Sequence, residues 1–290
     1  MSSTEWPGDA RTIERWLRAR MLADTASDAE VRLDGLDKVR IAVNATGPNI
    51  DHLLIDATGV KLTLSASGTA HIPEEPAEPA EPVIVERTEG MLHSARIIAD
   101  PVKMQGLPLR LDVTLDQMPF TWVTYDAEQT AGDPTSRFGI DETAGATATP
   151  SGSFTGSIRV DDISRLVTRL MKPLLEGTSV RVRRVDVTIT DAGIGLLHVH
   201  AAGTAWWKVL AARVRAEAVV DVTSDAVITV ERLRLSARNP LIALALRMVR
   251  SQIAEIEGRT YDLNANLTGV RIHHLRVSAG EELTISGRVS

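Results

Sequence analysis

Residues 180–190 read VRVRRVDVTIT, and valine or isoleucine alternates there with arginine, aspartate and threonine. A period of two places apolar side chains on one face of a β-strand and polar side chains on the other. The pattern continues downstream, and it predicts further strands at Gly195–Ala202, Val214–Val222 and Val227–Leu235. The sequence therefore predicts a dominant antiparallel sheet whose strands are half-buried.

Helical periodicity flanks this strand region on both sides. Residues 161–175, DDISRLVTRLMKPLL, place apolar side chains at intervals of three and four, with Asp161 or Asp162 as the predicted cap. Residues 239–257 have a similar pattern with Pro240 in the first turn, and their apolar positions cover more than a narrow stripe. We expect the second helix to be buried by protein or partly by a ligand.

The amino-terminal half also combines helix with strands. A helix is predicted at 9–24 with Asp9 as its cap. Residues 73–82, PEEPAEPAEP, are predicted to form an extended, solvated loop. The fold class is therefore α+β.

The chain is long enough for one large domain or two of ordinary size. We expect a single elongated domain over 1–290, with a first half at 1–125 and a second half at 154–290. Residues 126–153 are rich in small and polar residues, and they are predicted to form a mobile loop between the halves.

Composition and motifs argue against catalysis. The chain has no cysteine, which excludes disulfides, thiolate zinc sites and a cysteine nucleophile. It lacks a Walker phosphate loop and a strand-linked GxGxxG motif, so nucleotide chemistry is not expected. His198 with His200, and His273 with His274, are predicted to be strand-face histidines rather than metal ligands. We expect a non-enzymatic protein without a cofactor or metal.

The charge of the chain is distributed unevenly. Residues 1–145 carry 13 Lys or Arg against 24 Asp or Glu, whereas residues 146–290 carry 19 against 14. The carboxyl half, with a net charge of +5 compared with −11, is expected to contact an anionic membrane surface transiently. The alternative is that its arginines simply occupy the solvent faces of strands.

Trp206 and Trp207, followed by Lys208, are predicted membrane-contact residues, because indole partitions between lipid headgroups and acyl chains. As ordinary strand residues, one ring would face the core and the other the solvent. Nucleic-acid binding is not expected, since the basic half has few aromatic residues outside this pair.

The amino-terminal sequence lacks the apolar core of a secretory signal, and no run of about eighteen apolar residues is present. We therefore expect a cytoplasmic protein that can associate peripherally with a membrane.

Several segments together resemble the LmeA-like phospholipid-binding family of the tubular lipid-binding (TULIP) superfamily. The resemblance is carried chiefly by DDISRLVTRLMKPLL at 161–175, VERLRLSARNPLIALALRMV at 230–249 and LTGVRIHHLRVSAGEELTISGRV at 267–289. It implies a long, strongly curved antiparallel sheet wrapped around long amphipathic helices. It also implies an elongated apolar groove that holds the acyl chains of a phospholipid or fatty-acyl ligand.

The resemblance implies binding, and lipid transfer as its extension, without catalysis. The predicted groove residues are Leu166, Leu170, Met171, Leu174, Leu244, Met248, Ile253, Phe120 and Trp122. Plain core packing is the alternative for each residue taken singly. Two further hypotheses are a scaffold protein with a collapsed groove and no ligand, and an enzyme acting on an apolar substrate.

Overall fold

The part of the chain that the structure describes is mostly β-sheet. The computed structural model describes residues 7–27, 31–64, 83–126, 137–141, 149–174, 180–207, 210–237, 257–265, 267 and 270–290. Strand accounts for 68% of the structure, and two α-helices accompany it.

Two helices and fifteen strands follow one another along the described chain. They are α1 (Ala10–Ser27), β1 (Val31–Asp34), β2 (Arg40–Thr46), β3 (Asn49–Asp56), β4 (Lys61–Leu64), β5 (Ile84–Met104), β6 (Leu107–Tyr125), β7 (Phe138–Asp141), β8 (Ser151–Arg159), α2 (Val160–Leu174), β9 (Val180–Gly193), β10 (Leu196–Trp207), β11 (Leu210–Val222), β12 (Val227–Ala237), β13 (Thr260–Asp262), β14 (Ile272–Ala279) and β15 (Glu282–Val289).

Ten of these strands form the first sheet. Its main order is β1-β4-β5-β6-β8-β15-β14, with β3 and β2 attached to β5 and with β7 attached to β6. Strands β3 and β4 run parallel to β5, and the other pairs are antiparallel. The central pair, β5 and β6, has 21 and 19 residues. Strands from both halves of the sequence therefore belong to one sheet.

Helix α1 packs on the first sheet and completes its core. Asp9 caps the helix as predicted, since its carboxylate accepts the backbone N–H three residues further on at 2.8 Å. The buried Trp16 donates its indole N–H to the carbonyl of Phe138 at 3.0 Å, and the buried Trp122 donates to the carbonyl of Pro48 at 2.7 Å. Both indole groups are thus satisfied inside an apolar cluster.

The other five strands form the second sheet, an antiparallel arrangement in the order β13-β12-β11-β10-β9. The two sheets meet at a buried cluster of Val222, Ala226 and Leu275, which we name the joint cluster. Leu275 of β14 donates its N–H to the carbonyl of Ser224 in the β11–β12 turn at 3.0 Å. The first sheet thereby covers one end of the second.

The predicted α+β fold, with a curved sheet wrapped around long helices, is wrong, because the described chain is mostly β. The structure has two uncurled sheets, and its two described helices have 18 and 15 residues. The physical reason is that many of the strands, β9 to β12 above all, alternate apolar and polar residues. Each sheet therefore has one apolar face, and helix α1 and the joint cluster bury parts of these faces without a central helix. Helix α2 lies along the edge strand β9 instead of inside a curved sheet.

Several element boundaries differ from the predicted ones. Helix α2 begins at Val160, so Asp161 and Asp162 lie in its first turn rather than ahead of it, where carboxylates still favour the helix dipole. Residues 126–153, predicted as loop, contain β7 and the first residues of β8. Most of the helix predicted at 239–257, and the loop at 73–82, lie outside the described residues. Among the described residues, no helix combines the length and apolar character that crossing a bilayer requires.

Candidate functional site

The second sheet has one face made of aliphatic residues. Four strands place ladder partners in three successive rows, and partners in an antiparallel ladder lie on the same face. All twelve residues are half-buried. This aliphatic face consists of Val185, Gly203, Val214 and Ala237 in the first row, Val187, Ala201, Ala216 and Leu235 in the second, and Ile189, Val199, Ala218 and Leu233 in the third.

The aliphatic face is lower along its centre than along its edges. Strands β10 and β11 contribute glycine or alanine at four of their six positions, whereas β9 and β12 contribute a branched residue at five of six. Because a methyl group extends less far from the backbone than a branched side chain, the centre forms a shallow trough parallel to the strands. The three rows cover about 13 by 14 Å, from a rise of about 6.7 Å per residue pair and a strand spacing of about 4.8 Å.

The trough is closed at one end. Val220 and Val230 are ladder partners that continue the aliphatic face beyond its third row. The joint cluster follows directly, and β14 covers the sheet there. In the opposite direction the trough leads toward the hairpin that joins β10 to β11. The aliphatic face therefore has a covered end and a hairpin end.

Helix α2 lies along the outer edge of the trough. The Ser164 hydroxyl accepts the N–H of Val187 at 2.8 Å, and the Thr168 hydroxyl accepts the N–H of Val185 at 3.3 Å. These hydroxyls take the place of a neighbouring strand and satisfy the edge of the sheet. The Arg169 guanidinium donates to a backbone carbonyl in the β5–β6 turn, which ties α2 to the first sheet.

The opposite face of the second sheet is charged. His198, His200, Glu217, Arg232 and Arg234 are all exposed. The Nδ1 atom of His200 lies 4.0 Å from a carboxylate oxygen of Glu217 across the strands. The sheet is thus amphipathic across its thickness, with an aliphatic face and a charged face.

The residues predicted to line a lipid groove fall into three groups. Leu166 of α2 is half-buried. Phe120 and Trp122 are 6% and 1% exposed, and they belong to the core of the first sheet rather than to the aliphatic face. In the third group, the side chains of Leu170, Met171 and Leu174 lie outside the described part of the structure. Leu244, Met248 and Ile253 lie outside it entirely. The structure does not bring the first two groups together.

Trp206, the first predicted membrane-contact residue, is 38% exposed near the end of β10. Its ladder partners are Ala211 on β11 and Arg181 on β9. The side chain of Trp207 and the whole of Lys208 lie outside the described residues.

Two other pairs of polar side chains lie in the first sheet. The rings of His273 and His274 are 5.0 Å apart, but no three described His, Asp or Glu side chains are grouped to hold a metal. The Arg96 guanidinium beside Asp112, at 2.7 Å, holds the pKa of that carboxyl below its ordinary value. This ion pair is exposed on the polar face of the first sheet.

A polar cleft of about 810 Å³ lies beside the β11–β12 turn, and its walls include Asp225, Asp262 and Asn264. The Asn264 amide donates to the carbonyls of Asp225 and Ile272 and accepts the N–H of Ile272. This side chain therefore links the β11–β12 turn to β14 by hydrogen bonds.

Sequence reasoning missed the residues of the trough. Ala201 and Ala216 are the clearest examples, because alanine in a strand reads as a weak core position. The available signal was the recurrence of small residues at alternate positions in two consecutive predicted strands. This recurrence indicates a trough only when the strand register is known, because the register places Ala201 opposite Ala216 and Val187.

Comparison of the chain with protein-family models, curated proteins and solved structures finds no match. The resemblance to the LmeA-like family therefore stays a prediction.

Proposed function

We propose that this protein binds the acyl part of a phospholipid or another acyl lipid in the trough of the aliphatic face, without catalysing a reaction. One observation carries the proposal: three adjoining rows of aliphatic residues stay half-buried on a sheet whose other face is charged. Contiguous apolar surface in contact with water is unfavourable and commonly marks a binding site.

The chemistry of the trough favours a hydrocarbon guest. Its twelve residues are all aliphatic or glycine, so their side chains offer no hydrogen bond to a polar ligand. The low centre runs along the strands, which suits a linear chain better than a compact ring. Strands β9 and β12 provide the walls on either side.

The trough alone is expected to bind an acyl chain weakly. Ten buried methylenes contribute about 8 kcal/mol of gross transfer free energy at about 0.8 kcal/mol each. Loss of translational and rotational freedom offsets at least about 4 kcal/mol of this. A lipid held by the trough alone is therefore exchangeable, as transfer between membranes requires.

Filling the trough tests the proposal. The double variant Ala201→Leu with Ala216→Leu places two larger side chains at adjoining positions of the second row. Native mass spectrometry of the wild-type protein mixed with excess fatty acid is expected to detect the bound lipid, and the double variant should lose most of it. Titration with a fluorescent fatty acid should give at least tenfold weaker binding, since several methylene contacts are displaced.

Ala202→Leu is the matched control, because residue 202 follows directly in the strand and its side chain lies on the charged face. This variant should retain the lipid. Circular dichroism and thermal melting check that all three proteins fold. A wild-type mass equal to that of the chain alone, with no fatty-acid binding, would refute the proposal and favour a scaffold without a ligand.

A further inference from the structure

Charge is separated along the strands of the second sheet. Asp186, Ala202, Arg215 and Ser236 form a row across it. We define the basic end as this row together with the described strand residues between it and the β10–β11 hairpin. The basic end holds one acidic residue, Asp186, and five arginines, at 181, 183, 184, 213 and 215.

The remainder of the second sheet has the opposite balance. Residues 187–201 and 216–235 hold two arginines, Arg232 and Arg234, against five acidic residues. The acidic residues are Asp191, Glu217, Asp221, Asp225 and Glu231. An anionic surface is therefore attracted to the basic end and repelled by the covered end. The electrostatic field of these charges thus orients the second sheet relative to that surface.

The basic end also carries an exposed indole. Ladder partners place Arg215 opposite Ala202, Arg213 opposite Thr204, and Ala211 opposite Trp206. Because these positions alternate along β10 and β11, Trp206 lies on the same face as Arg213 and Arg215. Both arginines are exposed, and Trp206 is 38% exposed. Guanidinium groups beside an indole suit an interface between anionic headgroups and acyl chains.

The trough leads to this same end of the sheet. Its far end is closed by the joint cluster, whereas its first row, with Gly203 and Val214, lies next to the basic end. We infer that the basic end docks on an anionic lipid membrane and directs the trough toward the bilayer, an inference that rests on the proposed acyl binding. A lipid chain then enters lengthwise while its anionic neighbours stay with the arginines.

Vesicle binding by the full chain tests the docking. Wild-type protein should bind vesicles of phosphatidylcholine mixed with phosphatidylglycerol, and should bind pure phosphatidylcholine far more weakly. The double variant Arg213→Gln with Arg215→Gln should bind the mixed vesicles about 30-fold more weakly, as expected for two arginines near a charged surface. High salt should remove most of the difference.

Arg232→Gln with Arg234→Gln is the matched control, since it removes two exposed arginines from the same charged face but outside the basic end. Its vesicle binding should change by less than about threefold. Equal losses in both double variants would overturn the docking geometry. Tighter binding of a single-stranded oligonucleotide, with the same dependence on Arg213 and Arg215, would assign the surface to nucleic acid and also overturn it.

The docking and the proposed function fail in different ways. Native mass spectrometry on the same preparations reports bound lipid independently of vesicles. Bound lipid without vesicle binding refutes docking alone, whereas vesicle binding without bound lipid refutes acyl binding alone.

Discussion

Aromatic rings lie over strand glycines at three places in the first sheet. Phe120 is the ladder partner of Gly90, and Phe154 is the ladder partner of Gly287. A Cβ added at either glycine would lie 2.7 to 2.8 Å from the partner's ring. The third glycine, Gly139, has Tyr125 at a similar distance. In each pair the ring occupies the space that the glycine leaves empty, which compensates for the weak strand propensity of glycine.

Gly90→Ala is therefore expected to destabilise the protein although alanine fits most strands better. The new methyl would lie 2.6 Å from the carbonyl oxygen of Pro48 and 2.8 Å from the Phe120 ring. Overpacking of this kind costs about 1 to 3 kcal/mol in the free energy of unfolding, which urea denaturation measures. Gly280→Ala is the control, because a Cβ there has no neighbour within 4 Å. An unchanged urea midpoint for Gly90→Ala would contradict the close packing of the Phe120 ring on Gly90.

Helix α2 covers the edge of the second sheet. An uncovered edge strand exposes N–H groups that can pair with another chain. Ser164 and Thr168 are one helical turn apart, and they meet Val187 and Val185, which are two residues apart on β9. The two spacings match because four helical residues and two strand residues span similar lengths, about 6 and 6.7 Å.

Removing both hydroxyls tests this role. In Ser164→Ala with Thr168→Val, the amides of Val185 and Val187 lose their acceptors, at about 1 kcal/mol for each bond. Hydrogen exchange of these two amides should accelerate by about fivefold or more, measured by nuclear magnetic resonance. Thr188→Val changes an exposed threonine on the charged face of β9 and should leave both amides unaffected. Unchanged exchange in the double variant would mean that water satisfies the edge equally well.

The elements were largely readable from the sequence because their periods are local. Helix α1 with its Asp9 cap and the alternating strands β9 to β12 follow from patterns within about fifteen residues. The arrangement of the sheets was not readable, since an alternating strand has an apolar face but does not specify what covers it. The trough was missed for the same reason: Ala201 and Ala216 become a feature only when register places them side by side.

The chain leaves the first sheet after β8, forms the second sheet with β9 to β13, and returns to the first sheet at β14 and β15. Arg159 of β8 pairs with Glu282 of β15, so residues more than a hundred positions apart close the first sheet. The described residues form two separate buried clusters. One contains Ile13 and Trp16 of α1 with Trp122 of β6, and the other is the joint cluster. Each sheet therefore has its own apolar support, and the joint cluster belongs to both.

This division predicts different effects for two similar substitutions. Leu275→Ala in the joint cluster and Leu92→Ala in the first core each remove a buried leucine side chain, 4% and 8% exposed, at a cost of about 2 to 5 kcal/mol. Hydrogen exchange read on separate peptides should respond locally. Leu275→Ala should accelerate exchange in β10 to β12 more than in α1 to β3, and Leu92→Ala should do the reverse. Each variant thus serves as the control for the other.

The reason for this expectation is that the covered end of the aliphatic face depends on β14, whereas α1 and its strands pack without it. Loss of Leu275 removes the side chain through which the first sheet supports Val222 and Ala226, and the trough then loses its closed end. Lipid retention should fall in Leu275→Ala but not in Leu92→Ala, measured at a temperature where both variants remain folded. Equal acceleration of all peptides in both variants would contradict the division, because it would mean that the two sheets unfold as one cooperative unit.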